Sequence, residues 1–143
     1  MSLDENKALI RRLFEAFNQQ NPALLDELIA PDYVDHPRQE QGLDRYKHLL
    51  TTFHRSFPDS HETIKDIVAE GEKVWVRVKG TATHAGEYRG VAPTGKTVTW
   101  EAVSIWRIVD GKIVEMWGVA DELDFLKQLG VIEYKGFPDE EIS

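Results

Sequence analysis

The hydrophobic residues change period part-way along the chain, and that change limits the architectures open to it. Up to Phe57 the apolar side chains recur at helical spacing; from Thr63 onward they alternate with period two. Ser2 and Glu5 have the spacing of a capping box, and Ile10, Leu13, Phe14 and Phe17 then form one stripe of a helix. Asn21-Pro22 predicts a second start, with Asn21 as the cap and Leu24, Leu25, Leu28 and Ile29 as the apolar side. Pro31 interrupts it, and residues 33–36 read as a short extended segment. A third helix begins at Gly42 or Leu43, turns Leu43, Tyr46, Leu50, Phe53 and Phe57 to a core, and stops at Phe57-Pro58-Asp59.

The second half predicts strands over 63–69, 73–84, 97–109 and 112–121. Asp110-Gly111 is a tight hairpin turn, because both central positions want positive φ. Residues 122–129 return to helical spacing and end at Gly130. Helices followed by an antiparallel meander define an α+β domain over residues 1–130, with an acidic tail at 131–143.

Length and charge narrow the function. A chain of 143 residues suits one domain with a core large enough to hold a pocket. A net charge of −8 is the opposite of what a phosphate backbone attracts, so no nucleic-acid partner is expected. Without cysteine there is no disulfide, thiolate metal site or cysteine nucleophile. No stretch approaches the roughly 18 apolar residues of a membrane span, and the charged N-terminal run lacks the core of a signal peptide. The expectation is a cytoplasmic protein without a membrane partner. His48, His54 and His61 read as surface positions. G-x-S-x-G, H-E-x-x-H and a phosphate-binding glycine loop are missing, and Asp32, Asp35 and His36 lack metal-ligand spacing. Neither metal nor cofactor is expected.

The hairpin predicts a site. With a two-residue turn at Asp110-Gly111, Trp106 faces Glu115, Ser104 faces Trp117, Ala102 faces Val119 and Trp100 faces Asp121. That register puts Trp100, Trp106 and Trp117 on one side with Ala102, Ser104 and Asp121, as the wall of a pocket for a small hydrophobic molecule. The opposite side, with Val103, Ile105, Val114 and Met116, is also apolar. A sheet apolar on both faces wants helices on one and a further subunit on the other, which predicts a homodimer or larger homo-oligomer. Asp121, among apolar neighbours at a strand end, suits a general acid or base; it equally suits the N-cap of the helix that follows. His84 lies at the same end of the meander, either as a polar partner about two strand spacings from Asp121 or as a half-exposed residue opening a loop. His36 lines the pocket mouth or sits in solvent, and Glu115 near the hairpin tip suits a solvated strand charge or a partner for Arg107.

The string from Gly80 to Gly86 with His84, then Gly90-Val-Ala-Pro93-Thr94-Gly95-Lys96, then 110–117, Asp121 and Gln128-Leu-Gly130 resembles the SnoaL-like polyketide cyclase family of the NTF2-like superfamily. Ala8 to Asn18 and Ala30 to His36 resemble it too, so the likeness spans nearly the whole chain to Gly130. It implies a cone-shaped α+β barrel, with N-terminal helices packed on a curved antiparallel sheet around a hydrophobic pocket. It also implies acid/base catalysis of enolisation and aldol-type ring closure, or related isomerase or hydrolase chemistry, on a small carbonyl substrate without a cofactor. The cyclases' catalytic aspartate at the end of the last strand falls on Asp121. Strand 97–109 has no histidine, which leaves His84 or His36 as polar partner, and the limonene-epoxide hydrolase triad has no counterpart here. The alternative reading is a non-catalytic binder of a small hydrophobic ligand.

Overall fold

The computed structural model describes residues 1–133 and 135. Helix α1 (Leu3–Gln19) starts on the capping box: the Ser2 Oγ accepts from the Glu5 amide at 3.0 Å, and the Ser2 amide donates to Glu5 Oε1 at 3.2 Å. A 3₁₀ turn (Pro22–Leu24) runs into the single turn of α2 (Leu25–Leu28), and Asn21 makes no side-chain cap bond. Strand β1 (Ile29–Asp35) carries Pro31 within it, followed by β2 (Glu40–Gln41) and α3 (Leu43–Ser56). The meander is β3 (His61–Glu70), β4 (Lys73–Thr83), β5 (Thr97–Val109) and β6 (Lys112–Ala120), and α4 (Glu122–Gln128) ends the described fold. Asp110 and Gly111 have φ of 50° and 74°, the positive pair that the hairpin demands. Most of the acidic tail, Tyr134 and residues 136–143, lies outside the described residues.

The six strands form one open sheet in the order β2-β1-β6-β5-β4-β3. β1 runs parallel to β6, so the sheet is mixed, while the other pairs are antiparallel. Helices α1 and α3 cover its inner face. Ile10, Leu13 and Phe14 of α1 pack there with Leu28, Ile29, Tyr33, Val74, Val76, Val78, Trp106, Ile108, Ile113 and Met116. Each large side chain so buried contributes about 1.5–3 kcal/mol. A second cluster of Phe57, Ala82, Val98, Phe125 and Leu129 closes one end, with Phe53, Tyr88 and Trp100 against it.

One residue overturns the register arithmetic. Val109 pairs with Lys112 and Ile108 with Ile113, but Arg107 then pairs with Glu115, leaving Val114 as a bulge in β6. An extra residue moves every later side chain to the other face. Met116 and Gly118 therefore pair with Trp106 and Ser104 on the inner face, while Trp117 and Val119 pair with Ile105 and Val103 on the outer. The bulge turns Met116 into the core and pairs Glu115 with Arg107, with Nε to Oε1 at 2.5 Å. The three-tryptophan face does not form.

Candidate functional site

The sequence-derived candidates divide between three environments. Trp106 is a core residue, edge-on to Phe14 at 6.2 Å and stacked beside Tyr33 at 6.5 Å, and its indole N–H donates to Ser104 Oγ at 2.8 Å. His84 is wholly buried in the second cluster, stacked on Phe57 at 5.4 Å. Its Nδ1 accepts from the Thr94 amide at 3.2 Å, which assigns the ring proton to Nε2, and Nε2 has no partner among the described residues. His84 is therefore a packed residue that ties down the loop after β4, not a half-exposed one.

Trp117 and His36 lie on the outer face of the sheet. Their rings stack at 4.8 Å and 6°, with Lys73 Nζ 5.2 Å from the Trp117 ring centre. His36 Nε2 meets Glu115 Oε2 at 2.7 Å, and hydrogen bonds from His36 and Arg107 hold the Glu115 carboxyl below its ordinary range. Asp121 is exposed and caps α4, its Oδ1 accepting from the Asp124 amide at 3.1 Å. It borders a shallow cleft of about 290 Å³ on the outer face, beside Arg77, Val103 and Val119. The structure thus brings His84 and Trp100 to one interior cluster and leaves Asp121, His36 and Trp117 outside it. His54, read as a surface position, is half-buried and packed against the Phe17 ring, 4.7 Å between centres and tilted by 44°.

Inside the cone lies a polar group that sequence reasoning missed. Tyr33 on β1, Asp35 at its end, Tyr46 on α3, Glu62 on β3 and Trp100 on β5 converge from different elements, with the half-exposed Arg38 of the turn to β2 at their edge. Asp35 is buried and binds the Arg38 guanidinium, Oδ2 to Nη1 at 2.5 Å. Burial raises both tyrosine hydroxyls well above their ordinary range, and the Tyr33 hydroxyl has no partner among the described residues. Burial also pushes the Glu62 carboxyl up to about 7, partly opposed by the Trp100 indole N–H and more distantly by Arg38. The walls beside this cluster are small on two strands: Ala102 and Ser104 on β5, and Gly118 on β6.

Glu62 was detectable in principle. In β3 the inward positions Glu62, Ile64, Ile67 and Ala69 form one face, on which Glu62 is the lone charge. Among the described residues no group of three or more His, Asp and Glu side chains is placed to hold a metal ion. No described helix is long and apolar enough to cross a membrane.

Helices laid over one face of an open, curved sheet, with polar groups gathered in an apolar interior, define the α+β cone of the NTF2-like class. The model of the SnoaL-like polyketide cyclase family matches residues 7–129, and the chain belongs to that family. The aklanonic acid methyl ester cyclase DauD of Streptomyces sp. (strain C5) is 29% identical over 129 residues, 85% of this chain and 80% of that one. The nogalonic acid methyl ester cyclase of Streptomyces nogalater is 28% identical over 135 residues, 90% of this chain and 97% of that one. Among solved structures, AclR from Streptomyces galilaeus superposes with a TM-score of 0.85 at 33% identity, covering 99% of this chain and 89% of its own.

Proposed function

We propose that this protein is an acid/base catalyst that enolises a small hydrophobic carbonyl compound and closes a ring on it, without a cofactor. The observation that carries the reading is the convergence of Tyr33, Tyr46 and Glu62 inside an otherwise apolar cone, with the half-exposed Arg38 guanidinium at its edge. In such a reaction a base removes a proton beside one carbonyl. The enolate carbon attacks a second carbonyl, a C–C bond forms, and the new alkoxide takes a proton back. Hydroxyl donors such as Tyr33 and Tyr46, whose burial keeps them protonated, suit the stabilisation of the enolate and alkoxide oxygens. Low-polarity walls strengthen those bonds by excluding water.

The curated relatives are cyclases of aklanonic and nogalonic acid methyl esters, so these polyketide esters are the first substrates to test. Conversion of either to a cyclised isomer of unchanged mass supports the reading. Quenching of tryptophan fluorescence on binding, with no product, favours the binding protein instead. The family resemblance carries the acid/base role to Asp121, whose carboxylate would have to leave the Asp124 amide to turn inward. Asp121→Asn keeps a cap acceptor while removing the charge, so a loss of turnover in that variant supports the role.

The same reading includes a homo-oligomer in the cytoplasm. Val68, Trp75, Ile105 and Trp117 form a cross-strand row on the outer sheet face, with Val68 and Trp75 60% and 46% exposed. Of the flanking charges, Arg77 is paired within the chain with Asp66 and Arg107 with Glu115. A second copy of this chain, presenting the same neutral aromatic strip about a two-fold axis, is the partner that such a face suits.

A further inference from the structure

Glu62, Gly80 and Trp100 occupy one cross-strand row of β3, β4 and β5. The Glu62 amide donates to Asn18 Oδ1 at 2.7 Å, and its carbonyl accepts from Asn18 Nδ2 at 2.9 Å. Both backbone groups thus point away from β4, which makes Glu62 and Gly80 a non-hydrogen-bonded pair, the closer kind at about 4.5 Å between Cα atoms. Gly80 leaves a gap that the Trp100 indole fills. A Cβ there would lie 2.0 Å from Trp100 Cε2, 2.2 Å from Cζ2 and 2.4 Å from Nε1. The indole therefore lies across the glycine with its N–H edge beside Glu62, pinned edge-on by Phe53 at 5.8 Å and Phe125 at 5.9 Å. The backbone of Glu62 is clamped from α1, and the Trp100 indole is held on the same row across an absent side chain.

Resting on the acid/base reading of the interior, we propose that Glu62 is a further catalytic proton-transfer group of this protein, in addition to Asp121, and Trp100 its positioning residue. The inner face of β3 offers Glu62 no other charge, and the neighbouring polar groups, Tyr46 and Arg38, are donors. A carboxyl in that setting shuttles a proton near neutral pH, where an exposed glutamate is too weak a base. Asp121, to which the resemblance carries acid/base work, stands at the end of a different strand.

A probe that needs a base but no native substrate separates this claim from the polyketide reading. 5-Nitrobenzisoxazole loses its ring C–H proton to a carboxylate as the N–O bond breaks, forming a nitrile and a coloured phenolate. Wild type, Glu62→Gln and Trp100→Phe are assayed with it between about pH 5 and about pH 9, with folding checked by circular dichroism. The wild-type rate rises with a midpoint near pH 7, and Glu62→Gln lowers it by about 100-fold. Trp100→Phe moves the midpoint upward, because it removes the donor that favours the charged carboxyl, whereas a purely structural tryptophan leaves the midpoint in place. Wild-type protein that does not accelerate the probe, or Glu62→Gln that matches wild type, overturns the proposal. If a variant loses structure, the carbon-13 titration of the Glu62 carboxyl in wild type decides, with a midpoint near the ordinary 4.5 overturning it. Failure to turn over the polyketide esters while the probe results hold refutes the substrate reading alone.

Discussion

Replacing Glu62 by Gln should make the protein more stable, and only above the titration range of a normal glutamate. In the unfolded chain this carboxyl titrates near 4.5, and in the folded chain near 7. Between those values the folded state keeps a proton that the unfolded state releases. Stability therefore falls as pH rises through that window and levels off above it. A difference of about 2.5 pH units, at about 1.4 kcal/mol each, sets a ceiling of about 3 kcal/mol. Because the residue retains some accessible surface, a loss of about 1–3 kcal/mol is the working expectation. Gln resembles the protonated acid in shape and charge, so the variant should match wild type at low pH and exceed it by that margin near pH 8. Urea unfolding of both proteins near pH 5 and near pH 8 measures it, and the difference of differences cancels the other carboxylates. A gap between Glu62→Gln and wild type that stays constant across pH would refute the claim that burial controls this carboxyl. The expected gain would also show that the folded protein tolerates a costly charge in its interior, as functional sites commonly do.

Other expectations follow from the same packing. Gly80→Ala puts a Cβ where the Trp100 indole lies and should cost about 1–3 kcal/mol with a change in near-ultraviolet dichroism; an unchanged spectrum would contradict the row geometry. Trp106→Ala should lose about 3–5 kcal/mol and Trp117→Ala less than about 1 kcal/mol as a monomer, whereas the unbulged register would make them alike. Light scattering should give a homo-oligomer for wild type and a monomer for Trp75→Lys, and a wild-type monomer would remove the case for the outer face as an interface. Asp121→Ala should cost about 1 kcal/mol through loss of the α4 cap, with Asp121→Asn recovering most of it.

The extended segments and helices were legible because each is written in local chemistry. Ser2 and Glu5 announce α1 wherever the chain goes, and Asp110-Gly111 forces a tight turn through its own backbone preferences. The site was less legible. The alternation of β6 is the same with or without a bulge at Val114, and a bulge forms because Met116 then fills the core while Glu115 meets Arg107. Asp121 showed both roles in the sequence, and the structure has it accept the Asp124 amide, outside the enclosed cluster.

The amino-acid sequence by itself determined the α+β order, helices α1 and α3, the four meander strands and the family, since periodicity, caps and turns act over a few residues, whereas the early start of β1 and the short β2 were not written there. Which side chains meet was decided only by the tertiary structure. One bulge carried Trp117 to the outer face, and one glycine let Trp100 lie beside Glu62. The proton affinity of Glu62 arises from burial, which sums over elements distant in the chain and leaves no mark at the residue itself.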